Sequence, residues 1–201
     1  MRTKSPEQAE KILKVAAQLF ASQRFHEARM EDIAAAAEVG KGTLYRYFKD
    51  KEDLYLALLD KAARGLRQHI NAGQAEAVDP VAKLEAMVGS ILEFFDANPY
   101  LLDLLQHAEG RQQTGTLANW QEVRSANVKQ MTAILDEGRR AGLWDVPDPE
   151  IPVLVLLGGL RAVLRFSPPP RPPNLAKRIV RDFLNGADRS ETFAVPGAMS
   201  G

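Results

Sequence analysis

The chain has no cysteine among its 201 residues, which excludes disulfides and thiolate metal sites and points to a reducing compartment. It has no net charge either, with 26 Lys/Arg against 26 Asp/Glu, so any affinity for a polyanion must come from a local concentration of cations. Long hydrophobic runs are missing: the longest apolar stretch, Val153 to Leu160, is too short to span a bilayer. Met1 to Glu10 is polar and lacks a signal-peptide core, which predicts a soluble, cytoplasmic protein. Alternating strand patterns are absent, so the fold class read from the sequence is all-α.

Cations do concentrate in one place. Residues 1–51 hold ten Lys/Arg against seven Asp/Glu, whereas the remainder holds sixteen against nineteen. Within this basic quarter, Ile33 to Lys51 reads IAAAAEVGKGTLYRYFKDK. Ile33, Ala34 and Ala37 make a slim apolar edge that permits close helix approach, and the turn falls at Glu38 to Gly40, with Gly40 and Gly42 bracketing Lys41. In the helix that follows, beginning near Gly42 or Thr43, Leu44 and Phe48 point inward, which turns Thr43, Tyr45, Arg46 and Tyr47 mostly outward. Two helices joined by such a turn can place the second in a major groove while the first braces it. A Walker-type phosphate loop is excluded, because its spacing is not met and helix rather than strand precedes Gly40.

Boundaries are marked by caps. Ser5-Pro6 opens a helix to about Gln23; Asp50, with Asp53 three residues on, opens one from Lys51 to about Ala72. Asp79-Pro80, Asn98-Pro99 and Asp148-Pro149 start three more, and a helix from about Thr116 to Ala141 stops at Gly142. Ile151 to Phe166 is apolar nearly all round, which predicts burial on two sides, one against its own domain and one against a second subunit together with the stripe Leu175, Ile179, Val180 and Phe183. Ser167 to Pro173 reads as an extended polyproline spacer, and residues 188–201 as a flexible tail.

The run AAQLFASQRFHEARMEDIAAAAEVGKGTLYRYFKDKEDLYLAL, Ala16 to Leu58, resembles the N-terminal signature of the tetracycline-repressor (TetR) family of bacterial transcription regulators, including the GTLYRYF core and the KEDL helix start. Two departures stand out: Met30, where the family usually places a threonine that caps the second helix and touches phosphate, and Glu38, where a turn glycine is common. The resemblance implies a three-helix DNA-binding domain over 1–50 and a helical ligand-binding and dimerisation domain over 51–187. It implies DNA contacts from Lys41, Gly42, Thr43, Tyr45, Arg46, Tyr47 and Lys51, with Arg2 and Lys4 as a basic arm. It also implies a homodimer, paired through the final long helices, on a palindromic double-stranded operator, with repression relieved by a small apolar effector. Candidate effector contacts are Phe94, Tyr100, His107, Trp120, Asn127 and Met131.

No cofactor or metal is expected: Asp103 and His107 have ligand spacing without a third group. As an enzyme the chain has little to offer, since His26, His69 and His107 lie far apart and no serine sits in a nucleophile elbow. A helical protein-interaction scaffold with a weakened DNA head, resting on Met30, stays open as an alternative.

Overall fold

The computed structural model describes residues 5–22, 26–109 and 118–187, with the side chains of 107–109 and 187 outside the description. Among them lie helices α1 (Pro6–Ser22), α2 (Met30–Ala36), α3 (Lys41–Tyr47), α4 (Lys51–Gly73), α5 (Pro80–Ala97), α6 (Tyr100–Glu109), α7 (Ala118–Arg140), α8 (Glu150–Phe166) and α9 (Leu175–Ala187), and no strand. Arg2, Lys4, Thr116, Leu117 and the tail after 187 fall outside the described residues.

The chain packs as two units. One joins α1 to α3 and α4 as far as Asn71 with the stretch from Glu93 in α5 to Ser125 in α7. Its interior is built from Ile12, Ala16, Phe20, Ile33, Leu44, Leu54 and Tyr55, all buried. Tyr55 shows how a polar group is admitted there: the hydroxyl donates to the Leu104 carbonyl at 2.8 Å, so burying the ring strands no donor.

The other unit takes Ala72 to Leu92 and everything described from Ala126 onward. Here α7 ends in a Schellman motif: Leu143 N–H donates to Gly138 O and Gly142 N–H to Arg139 O, both at 3.0 Å, with Gly142 at φ +71°. The reversed chain lays Trp144 back over Gly138, and the indole N–H donates to Leu135 O at 2.8 Å.

Side-chain caps set the starts of α4 and α5. Asp50 Oδ1 accepts from Asp53 N–H at 2.8 Å and Asp79 Oδ1 from Ala82 N–H at 2.9 Å. Asn98 behaves differently: its amide donates back to Phe94 O at 2.8 Å, closing α5 rather than capping α6. The proline-rich connection also departs from an extended spacer. Arg171 donates to the carbonyl oxygens of Val163, at 3.3 Å, and Ser167, so the segment folds against the end of α8 and supplies partners for its last carbonyls.

Helix α8 is two-faced. Val153, Leu156, Leu160 and Leu164 are buried in its own unit, while Ile151, Leu154, Val155 and Phe166 are exposed.

Candidate nucleic-acid interface

The turn between α2 and α3 repeats the Schellman geometry with an unusual residue in it. Val39 N–H donates to Ala34 O at 2.9 Å and Glu38 N–H to Ala35 O at 3.0 Å, which puts Glu38 at φ +54°. Gly40, where the sequence suggested glycine's freedom would be used, has an ordinary φ of −64° and serves as the residue before α3. Left-handed backbone costs a non-glycine residue about 1–2 kcal/mol. Glu38 bears this with its carboxylate on Lys11 at 2.8 Å, which holds that carboxyl below its usual range. Glu38→Val, a β-branched residue in the same geometry, should lower the melting temperature by roughly 4 °C, whereas Glu38→Gly should not lower it; thermal unfolding followed by circular dichroism decides.

Met30 does not occupy a capping site. The cap of α2 is Arg29, with extended backbone and no side-chain cap bond, while Met30 is the first helical residue and buries its side chain at 6% exposure. The departure from the family pattern therefore sits one residue earlier than the sequence suggested, and it places an exposed cation, Arg29, where a hydroxyl was expected. Arg29 is a residue that sequence reasoning missed; the acidic pair Glu31-Asp32, which marks a first helical turn, was the available signal for the start.

Leu44 on α3 and Phe48, the residue that ends it, are buried, so the helix offers its other side outward. Tyr45 is 41% exposed, Arg46, Lys41 and Gly42 are exposed, and Thr43 is half-buried. The Arg46 guanidinium lies 5.4 Å from the Tyr47 ring centroid, a cation–π arrangement that steadies the side chain without using its N–H donors. Two other residues are engaged internally. Tyr47 OH accepts from Ser5 N–H at 2.7 Å, tying the start of α1 to the end of α3. Lys51 Nζ donates to the carbonyl oxygens of His26, at 3.3 Å, and Ala28, at 3.0 Å, and partial burial holds its ammonium below the usual lysine range. Lys41 pairs with Glu31 at 2.5 Å; each raises or lowers the other's proton affinity in the direction that keeps both charged.

The effector candidates are divided between the two units. Phe94 and Trp120 are linked through Phe95, whose ring stands edge-on to both at 6.0 and 6.2 Å. Tyr100 instead lines a groove of about 670 Å³ with Leu13, Lys14, Ala17 and Leu58, and burial pushes its phenol upward. Asn127 and Met131 belong to the second unit, at 9% and 0% exposure, and the His107 side chain lies outside the described residues. Among the described residues, no group of three potential ligands gathers that could hold a metal ion.

Residues 12–58, which span this module, match the family model described as bacterial regulatory proteins, tetR family. The HTH-type transcriptional regulator YhgD of Bacillus subtilis is 24% identical over 176 residues, 86% of this chain and 90% of its own. Two solved structures share the fold. The fatty acid degradation regulator FadR of Bacillus halodurans is 25% identical with a TM-score of 0.76, covering 92% of this chain and 98% of that one. FadR of Bacillus subtilis, solved in complex with stearoyl-CoA, is 18% identical with a TM-score of 0.72, covering 88% and 98%.

Proposed function

The chain belongs to the tetR family of bacterial regulatory proteins, and from that premise we propose that it is a ligand-responsive transcription regulator acting as a dimeric repressor on a palindromic operator. The observation that carries this reading is the two-sidedness of α3: Leu44 and Phe48 anchor it, and the neighbouring Tyr45 and Arg46 are left outward with donors to spare. Residues 1–50 then form the reading head, with Lys41, Gly42, Thr43, Tyr45 and Arg46 at the duplex. Tyr47 and Lys51 serve first as positioning residues, because their polar atoms fix α1 and the α1–α2 connection against the head; any phosphate contact they make is in addition.

Residues 51–187 carry the effector and the dimer contact in this reading. A second copy is the natural cover for the outward stripe of α8, and two heads on a two-fold axis would meet half-sites about 34 Å apart. For the effector, the stearoyl-CoA held by the B. subtilis neighbour makes a long-chain acyl thioester the first probe. Met30, the sole support for a scaffold with a vestigial head, is a packing residue and does not favour that alternative.

The test is a mobility shift on the DNA upstream of the protein's own gene, with and without stearoyl-CoA. The parent should shift that DNA, and the acyl thioester should reduce the shift. Arg46→Ala should weaken binding roughly tenfold, the scale of one lost base or phosphate donor, with an unchanged melting temperature. No shifted band at low salt, or equal affinity in the variant, overturns the reading of α3.

A further inference from the structure

Glu31 stands in the first turn of α2 and Lys41 is the first residue of α3, so the 2.5 Å pair between them sits at the mouth of the reading helix. Both side chains are more than half exposed, at 52% and 63%. A pair so placed adds little to folding. Its consequence is electrostatic: of the cations that α3 would bring to a duplex, the foremost arrives already neutralised by a carboxylate.

We propose that Glu31 is a brake on duplex binding, holding Lys41 so that the protein makes one phosphate contact fewer on DNA of arbitrary sequence. This rests on the DNA-binding reading and deepens it. When a phosphate approaches, Lys41 can exchange partners only if the freed carboxylate is left beside the same phosphate, a like-charge contact that opposes the exchange. The brake holds across the physiological pH range, since the bond to Lys41 keeps the Glu31 carboxyl below its usual range. Random duplex, which offers little beyond phosphate attraction, cannot open the pair; an operator that also engages Tyr45 and Arg46 can offset the cost. Glu31 therefore widens the gap between specific and non-specific affinity, acting on Lys41 rather than on the bases.

Counterion release makes this measurable. Each phosphate neutralised on B-DNA contributes about 0.9 to the slope of log affinity against log salt. Glu31→Gln frees Lys41 for one more phosphate, so the slope on a labelled duplex of mixed sequence should steepen by about 0.9, an extra loss of about 3.5-fold between 50 and 200 mM salt. At about 100 mM salt the variant should bind that duplex roughly threefold to tenfold more tightly than the parent. Fluorescence anisotropy on the full chain, with Glu31→Ala as a second variant and Lys41→Met alone and combined with Glu31→Gln, supplies the cycle. In the Lys41→Met background the steeper slope should vanish and the gain should shrink to the relief of one like-charge contact, since no lysine is left to take up the extra phosphate. An unchanged affinity and slope in both Glu31 variants overturns the brake while leaving the DNA reading intact. An equal gain without Lys41 also overturns it, because the effect is then one of general charge. Failure of every form, Glu31→Gln included, to bind at about 50 mM salt removes the DNA reading and the brake together.

Discussion

Replacing Gly138 by alanine should cost this protein about 3 kcal/mol of stability, although alanine is the better helix former by close to 1 kcal/mol. A methyl at that position would stand 1.8 Å from Cζ2 of Trp144 and 2.3 Å from Cε2 and Cη2, distances at which the ring cannot stay. Trp144 has no easy retreat. Its indole N–H is fixed on Leu135 O at 2.8 Å, it is 7% exposed, and the Schellman turn through Gly142 and Leu143 dictates where the chain re-enters. Expelling the ring empties an aromatic site, at the scale of a large-to-small core substitution, and gives up the bond to Leu135 O. For a chain of this length, the melting temperature should fall by roughly 10 °C. Trp144→Phe in the Gly138→Ala background, with a smaller ring, should recover part of the loss. Gly158 supplies the contrast: nothing lies within 4 Å of a methyl there, so Gly158→Ala should not lower the stability of the single chain. A Gly138→Ala protein melting within about 2 °C of the parent would show that the indole does not sit as described.

The same helix end shows why some of this fold was readable from sequence and some was not. A stop at Gly142, starts at Asp50 and Asp79, and the inward pair Leu44 and Phe48 are consequences of residues within one or two turns of each other, and the sequence pattern contains them. That Trp144 would roof Gly138 depends on the path of the chain after the turn, and nothing local in Leu143 to Val146 encodes it. The head follows the same division. Its helices and outward residues were legible from spacing, but the engagement of Tyr47 with Ser5 and of Lys51 with His26 and Ala28 joins residues 23 to 42 apart. The α2 cap falls one residue before the position the family pattern marks because Arg29 gives no capping signal, and the left-handed residue of the turn is hidden from propensity because glutamate at φ +54° is a costly choice. Effector residues were the least legible: aromatic and polar positions on central helices can be chosen by type, yet which of them share a space is decided by helix packing. Phe94 and Trp120 meet through Phe95, and Tyr100 lines a groove with Leu13 and Leu58.

On the proposed reading of a dimer on an operator, Val155→Glu should yield single subunits and lower operator affinity by about two orders of magnitude or more, with the fold of each subunit intact. Val155 lies midway along a stripe of α8 that runs through Ile151, Gly158, Ala162 and Phe166, with Leu154 and Gly159 beside it, all exposed in the single chain. At 66% exposure, Val155 contributes little to its own unit; the opposite stripe, led by Val153 at 0%, supplies the core. The two glycines let a second backbone come close, and about a two-fold axis position 155 of one subunit would meet the same stripe of the other. A glutamate there must be desolvated without a partner and faces its own symmetry mate, costs that together exceed the burial of one valine. The operator effect follows from linkage: the second head binds at an effective concentration in the millimolar range while the subunits are joined, and that advantage, worth about 10²–10⁴ in affinity, is lost when they part. Light scattering gives the mass, circular dichroism the fold, and a mobility shift the affinity. Val153→Glu, from the buried stripe, should unfold its unit instead, which separates loss of the contact from loss of the fold. If Val155→Glu remains dimeric at the parent's concentration, the outward stripe of α8 is not where two copies meet, and the spacing of the heads must be set by another surface.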